Sequence, residues 1–103
     1  MATEVRNNTA LERFELTADG QAAGYVEYQD TGAERALVHT EIFPRFEGRG
    51  YANVLVGAAL DASRDEGYSV LPLCTVVGHF IRKHPQYISL VPQGSRTMFG
   101  LPL

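Results

Sequence analysis

The chain has 103 residues, 45% hydrophobic, with a net charge of −3; that length suits one domain with a modest core, and the mixed, slightly acidic charge argues against a nucleic-acid partner. No apolar run nears the ~18 residues of a membrane span, and the opening MATEVRNN lacks the apolar stretch of a secretory signal. One cysteine makes no internal disulfide, which fits a reducing, cytoplasmic setting.

Residues 1–10 are polar, and fraying is expected there. LERFEL (11–16) alternates like a strand, Asp19-Gly20 is a hairpin turn signal, and AAGYVEYQ (22–29) reads as the return strand. After a turn around Gly32, RALVHTEIF (35–43) forms a third strand. Its apolar Ala36-Leu37-Val38 suits a central position, and Pro44 ends it. From Gly50 the period changes: Ala52, Leu55, Val56, Ala59 and Leu60 make a helical stripe, which Gly67 stops. YSVLPLC (68–74) is a short buried strand in which Pro72 limits pairing. Thr75 then N-caps a second helix with an apolar face of Val76, Val77, Phe80 and Ile81, ended by His84-Pro85. QYISLVP is expected as a last edge strand and the tail after Pro92 as loose. The helical crossover allows the third and fourth strands to lie parallel.

Gly48 and Gly50 at the mouth of the first helix admit two readings. Glycine serves a tight turn. The helix's unpaired amides and dipole also form an anion site, to which Arg49 adds a cation. The segment is neither a Walker loop, since no Gly-Lys-Ser/Thr follows, nor a dinucleotide fingerprint, since Asn53 holds the third glycine's place.

The register Glu47-Gly48-Arg49-Gly50-Tyr51-Ala52 resembles the acyl-CoA loop of the GNAT acetyltransferase superfamily, Gln/Arg-x-x-Gly-x-Gly/Ala. Gly50 and Ala52 match; Glu47 stands where Gln or Arg is usual. HTEIFPRFEGRGYANVLVGAAL and LPLCTVVGHFIRKHPQY are similar to the minimal, single-domain YjdJ-type branch over roughly residues 5–92 of the single domain 1–103. The resemblance implies an α+β fold with a GNAT-like mixed sheet: three antiparallel strands, then helix, strand and helix. Its parallel pair, near 39–42 and ending at Cys74, would splay to admit the pantetheine arm. It also implies acetyl-CoA as co-substrate, with no metal, held at Ile42, Phe43, Glu47, Gly48, Arg49, Gly50, Tyr51 and Ala52.

Acetyl transfer needs a neutral amine, a polarised carbonyl and a proton for the leaving thiolate. Glu41 is placed to act as base, or else is a solvent-facing strand carboxylate. His39 shares its face by alternation unless a bulge intervenes, so His-Thr-Glu is either a polar relay or the wet side of a sheet. Cys74, ahead of a helix start that favours thiolate, is a covalent acetyl carrier, a proton donor to coenzyme A sulfur, or a buried small residue. His79 is expected to be structural, Tyr87 a phenol near the acyl site, and Gly57 a close contact with the sheet. Dispersed histidines make a zinc site improbable. Two functions compete: an acetyl-CoA-dependent N-acetyltransferase acting on an unknown amine, small or on a protein, and a non-catalytic acyl-CoA-binding module. An exposed first or last strand would allow a homodimer.

Overall fold

The computed structural model describes residues 2–103. Five strands make one sheet in chain order: β1 (Thr3–Asn8), β2 (Arg13–Ala18), β3 (Gln21–Thr31), β4 (Glu34–Ile42) and β5 (Ser69–Pro72). β1 to β4 pair antiparallel, while β4 and β5 are parallel because α1 (Tyr51–Asp65) crosses between them. α2 (Thr75–Lys83) follows β5, then a 3-10 turn at Pro85–Leu90 and a short α3 (Gln93–Arg96). The fold is the mixed α+β sheet expected; β4 is an interior strand between β3 and the edge strand β5, and β3 is the central one.

Local chemistry explains most boundaries. Asp19 and Gly20 both take positive φ (50° and 79°), as a two-residue hairpin turn requires. Gly67, at φ 84°, ends α1: its amide bonds Arg64 C=O and the Tyr68 amide bonds Ser63 C=O, a Schellman closure. β2 alternates half-buried and buried residues, so Phe14, Leu16 and Ala18 face α1. They meet Val26, Leu37, Leu55, Leu60 and Ile81 in one core. Removing a residue such as Leu55 or Ile81 from water contributes ~1.5–3 kcal/mol.

Four expectations are corrected. Residues 3–8 are not frayed but form edge strand β1, making four antiparallel strands rather than three. Val5 packs toward the core, and Asn7 accepts a 2.7 Å bond from the Tyr28 hydroxyl. Residues 11 and 12 belong to the β1–β2 turn, where Leu11 is 57% exposed. The segment from Pro85 is not a strand. Pro85 opens a 3-10 turn, with the Tyr87 amide on His84 C=O, and it leaves the sheet for α2. The tail is packed: Val91 and Leu101 are buried, and Arg96 Nε donates to Val91 C=O at 2.9 Å.

Gly57 lies against α2 rather than the sheet. A Cβ there would meet only Phe80 Cζ, at 3.5 Å. Gly57→Ala should therefore stabilise the protein by about 0.5–1 kcal/mol in chemical denaturation, the ordinary gain of alanine over glycine inside a helix.

Candidate active site

The site begins where the parallel pair parts. β4 and β5 pair only from Glu34↔Ser69 to Leu37↔Pro72. Pro72 has no amide to continue the ladder; the Cys74 amide makes one more bond, to Leu37 C=O at 2.9 Å. Residues 38–42 then run on with β3 on one side and no strand on the other among the described residues. An extended ligand with amide groups can add to such an edge.

A bulge sets which side chains face which way. Tyr28 pairs with Leu37 and Glu27 with His39, so Val38 is an extra residue on β4. The slip turns His39 and Glu41 to the sheet face opposite the helices, beside Tyr25 and Glu27. Thr40 and Ile42, paired with buried Val26 and Gly24, point toward the helices. Because the bulge precedes both, His39 and Glu41 stay together: Nε2 and Oε1 are 3.1 Å apart, with side chains 51% and 45% exposed. Gly24 permits this packing, since a Cβ there would strike the Glu41 carbonyl oxygen and come within 2.8 Å of Ile42 Cδ1.

Cys74 lies on the other side. It is the N-cap of α2, with Thr75 as the first helical residue. Its Sγ donates to Thr40 Oγ1 at 3.4 Å. The three expected catalytic residues are thus split: His39 and Glu41 on the bare face, Cys74 in the opening on the helix side. Thr40, which sequence reasoning passed over, bonds Cys74 across the gap. Its signal was available, because alternation sends 40 and 41 to opposite faces.

The loop joins β4 to α1 through a 3-10 turn at Pro44–Phe46. Phe43 N–H is tied to Ala23 C=O at 2.9 Å. Gly48 and Gly50 have φ 76° and 77°, and a Cβ on either would meet open space. The turn reading is therefore correct as far as it goes: left-handed backbone calls for glycine. The same geometry leaves the helix mouth open. Gly50 N-caps α1 with no side-chain bond, and Val54 N–H reaches Gly50 C=O at 3.5 Å. The amides of Ala52 and Asn53 precede that bond and have no intrahelical acceptor. A cleft of about 250 Å³ opens here, lined by Ile42, Phe46, Glu47, Gly48, Gly50, Tyr51, Ala52 and Asn53. Ala52 and Asn53 also line a second cleft of about 510 Å³ between α1 and α2, with Thr75, Val76, His79 and Arg82. Phe46 is the floor of the loop: its ring is 6.1 Å from that of Tyr51, and the guanidiniums of Arg45 and Arg49 lie 5.2 and 5.8 Å from its centroid.

Two other aromatics are settled. Tyr87 is not near the opening, since its hydroxyl donates to Asp61 at 2.8 Å, about 16 Å along α1 from Gly50. Desolvation, with the bond to Asp61 and its charge, raises the phenol pKa above its ordinary value. His84 stacks on Phe80 with centroids 4.0 Å apart, and its Nδ1 bonds Phe80 C=O at 2.8 Å, so it finishes α2 as expected. Among the described residues no cluster of His, Cys, Asp and Glu could hold a metal ion, and no helix is long and apolar enough to cross a membrane.

A mixed sheet whose parallel pair opens past a proline, with a glycine turn entering the crossover helix, is the architecture of a GNAT domain. The model of the GCN5-related N-acetyltransferase family matches residues 13–90, and the chain belongs to that family. Its fold is similar to the NMR solution structure of a GCN5-like candidate N-acetyltransferase from Staphylococcus aureus. The TM-score is 0.66 at 18% identity, covering 86% of this chain and 87% of that one. A search of curated protein sequences returned no match.

Proposed function

We propose that the protein is an acetyl-CoA-dependent N-acetyltransferase whose donor lies on the helix side of the β4–β5 opening and whose amine acceptor approaches the bare sheet face. The observation that carries this reading is the run of β4, residues 38–42, whose edge on the β5 side is free and lies between the glycine turn and Cys74. The residues fit the donor. The amides ahead of Val54, with Arg45 and Arg49 nearby, suit a diphosphate. The β4 edge suits the amide-bearing pantetheine arm, and the α1–α2 cleft, with His79 and Arg82, suits the nucleotide end. Acetyl-CoA supplies an activated acetyl thioester.

The chain's own residues divide the proton work. Glu41 accepts the proton of the incoming ammonium, directly or through one water, and His39, bonded to it, passes the proton to solvent. Cys74, in the opening and bonded to Thr40, gives a proton to the departing thiolate and regains one through solvent, matching the proton the attacking nitrogen sheds as the amide forms. Glu41→Gln should lower turnover by about a hundredfold, within the usual range for a general base, and Cys74→Ala by about tenfold. A free-thiol release assay over a panel of amines measures both. Unchanged turnover in Cys74→Ala and Cys74→Ser removes the thiol from the mechanism.

A second reading keeps one observation on its side. On the face that bears Glu41 a dimple of about 110 Å³ lies between Arg13, Tyr25 and Phe43, below the ~300 Å³ of usual ligand pockets. A binding module without chemistry needs no acceptor pocket. Tight acetyl-CoA binding with no thiol release from any amine favours it. The lone free cysteine suits a reducing, cytoplasmic setting. A homodimer, if one forms, would pair along β1, the longer free edge.

A further inference from the structure

We infer that Glu47 sets the affinity for the acyl donor by opposing its diphosphate, so that the loop holds coenzyme A loosely enough to release it. This rests on the acyl-CoA reading above. The loop carries three charges, at Arg45, Glu47 and Arg49. Both guanidiniums lie against the Phe46 ring. Glu47 is exposed and lines the 250 Å³ cleft together with Gly48 and Gly50. Its backbone is fixed: the amide bonds Pro44 C=O at 3.2 Å and closes the 3-10 turn. None of the three charges is in an ion pair among the described residues. The carboxylate is therefore unneutralised at the cleft that would take two phosphates. An ionised carboxylate only accepts hydrogen bonds, so it offers a phosphate no contact to offset repulsion.

Coulomb repulsion between one carboxylate and a doubly charged diphosphate within a screening length of it, in a water-like medium, weakens binding about three- to tenfold. Salt shrinks that factor as the screening length falls to ~8 Å and below. Neutralising Glu47 should thus tighten binding of anything with the diphosphate and leave the pantetheine arm alone.

The test is calorimetric titration of coenzyme A and of pantetheine, which has no phosphate, into wild type, Glu47→Gln and Glu47→Lys at low and high salt. Glu47→Gln should bind coenzyme A about three- to tenfold more tightly. Glu47→Lys should tighten it by a similar further factor, pantetheine should be unaffected, and the gain should shrink in high salt. Equal or weaker coenzyme A binding by Glu47→Gln, or an equal gain for pantetheine, overturns the inference while leaving the acyl-CoA reading in place. Wild type that binds no coenzyme A overturns both.

Discussion

Arg35→Ala should cost about 3 kcal/mol of stability and lower the melting temperature by about 10–25 °C. Arg35 is 2% exposed, at the start of β4. Its Nε and Nη2 grip Asp30 at 2.8 and 3.0 Å, Nη2 reaches Glu66 at 3.3 Å, and Nη1 reaches Ser63 at 3.4 Å. The guanidinium lies 4.3 Å from the Tyr28 ring centroid and 4.1 Å from that of Tyr68. Burial pulls its pKa down, but the bonds and charges of Asp30 and Glu66 outweigh burial, and the net shift is upward. The residue clamps the β3–β4 hairpin to the end of α1. Alanine empties the aromatic cage and leaves Asp30 and Glu66 without their cation. Both carboxylates are partly hydrated, which places the cost at the low end for a broken buried pair. Arg35→Met leaves the same two carboxylates without their cation but fills much of the space between the rings, so it should cost about 1–2 kcal/mol less than Arg35→Ala. Denaturant melts of both variants measure the difference. Equal losses would mean that the ion pairs, not the packing, hold the clamp.

Gly50→Ala should weaken acetyl-CoA binding at least tenfold, a larger effect than its loss of stability would produce. Alanine in left-handed backbone costs about 1–2 kcal/mol. Nothing in the folded protein lies within 4 Å of the added Cβ, so no core contact is disturbed. The Cβ instead stands at the open mouth of α1, where the ligand is proposed to rest. Stability and affinity therefore separate the two readings of the glycine pair. A turn residue alone predicts lost stability with unchanged affinity of the folded protein. A ligand cradle predicts that both fall. The contrast with Gly57 is direct: one helix carries both glycines, and only the one with positive φ is required.

The elements with strong local signals were legible. Asp19-Gly20, the α1 stripe and its Gly67 stop rest on backbone chemistry that a sequence states openly. β1 was hidden because its outward positions, Glu4 and Arg6, are charged and its inward face carries a single apolar residue, Val5, beside the polar Asn7. A polar edge strand without alternation in hydrophobicity looks like a frayed end. Residues 85–91 have strand-like composition, but both sheet edges are β1 and β5, and the chain stays on α2. At the site, the loop could be read because glycine before a helical stripe is conspicuous. The Val38 bulge could not, since it depends on the register against β3. That bulge decides that Leu37 faces the core while His39 faces water, and hence that Cys74 and Glu41 lie on opposite sides of the opening.

The most direct test is titration of acetyl-CoA into isotopically labelled protein, followed through backbone amide resonances. The largest early shifts should fall on Gly48, Gly50, Ala52 and Asn53, with residues 38–42 following. Saturable binding that moves other amides and leaves residues 48–53 still would contradict it.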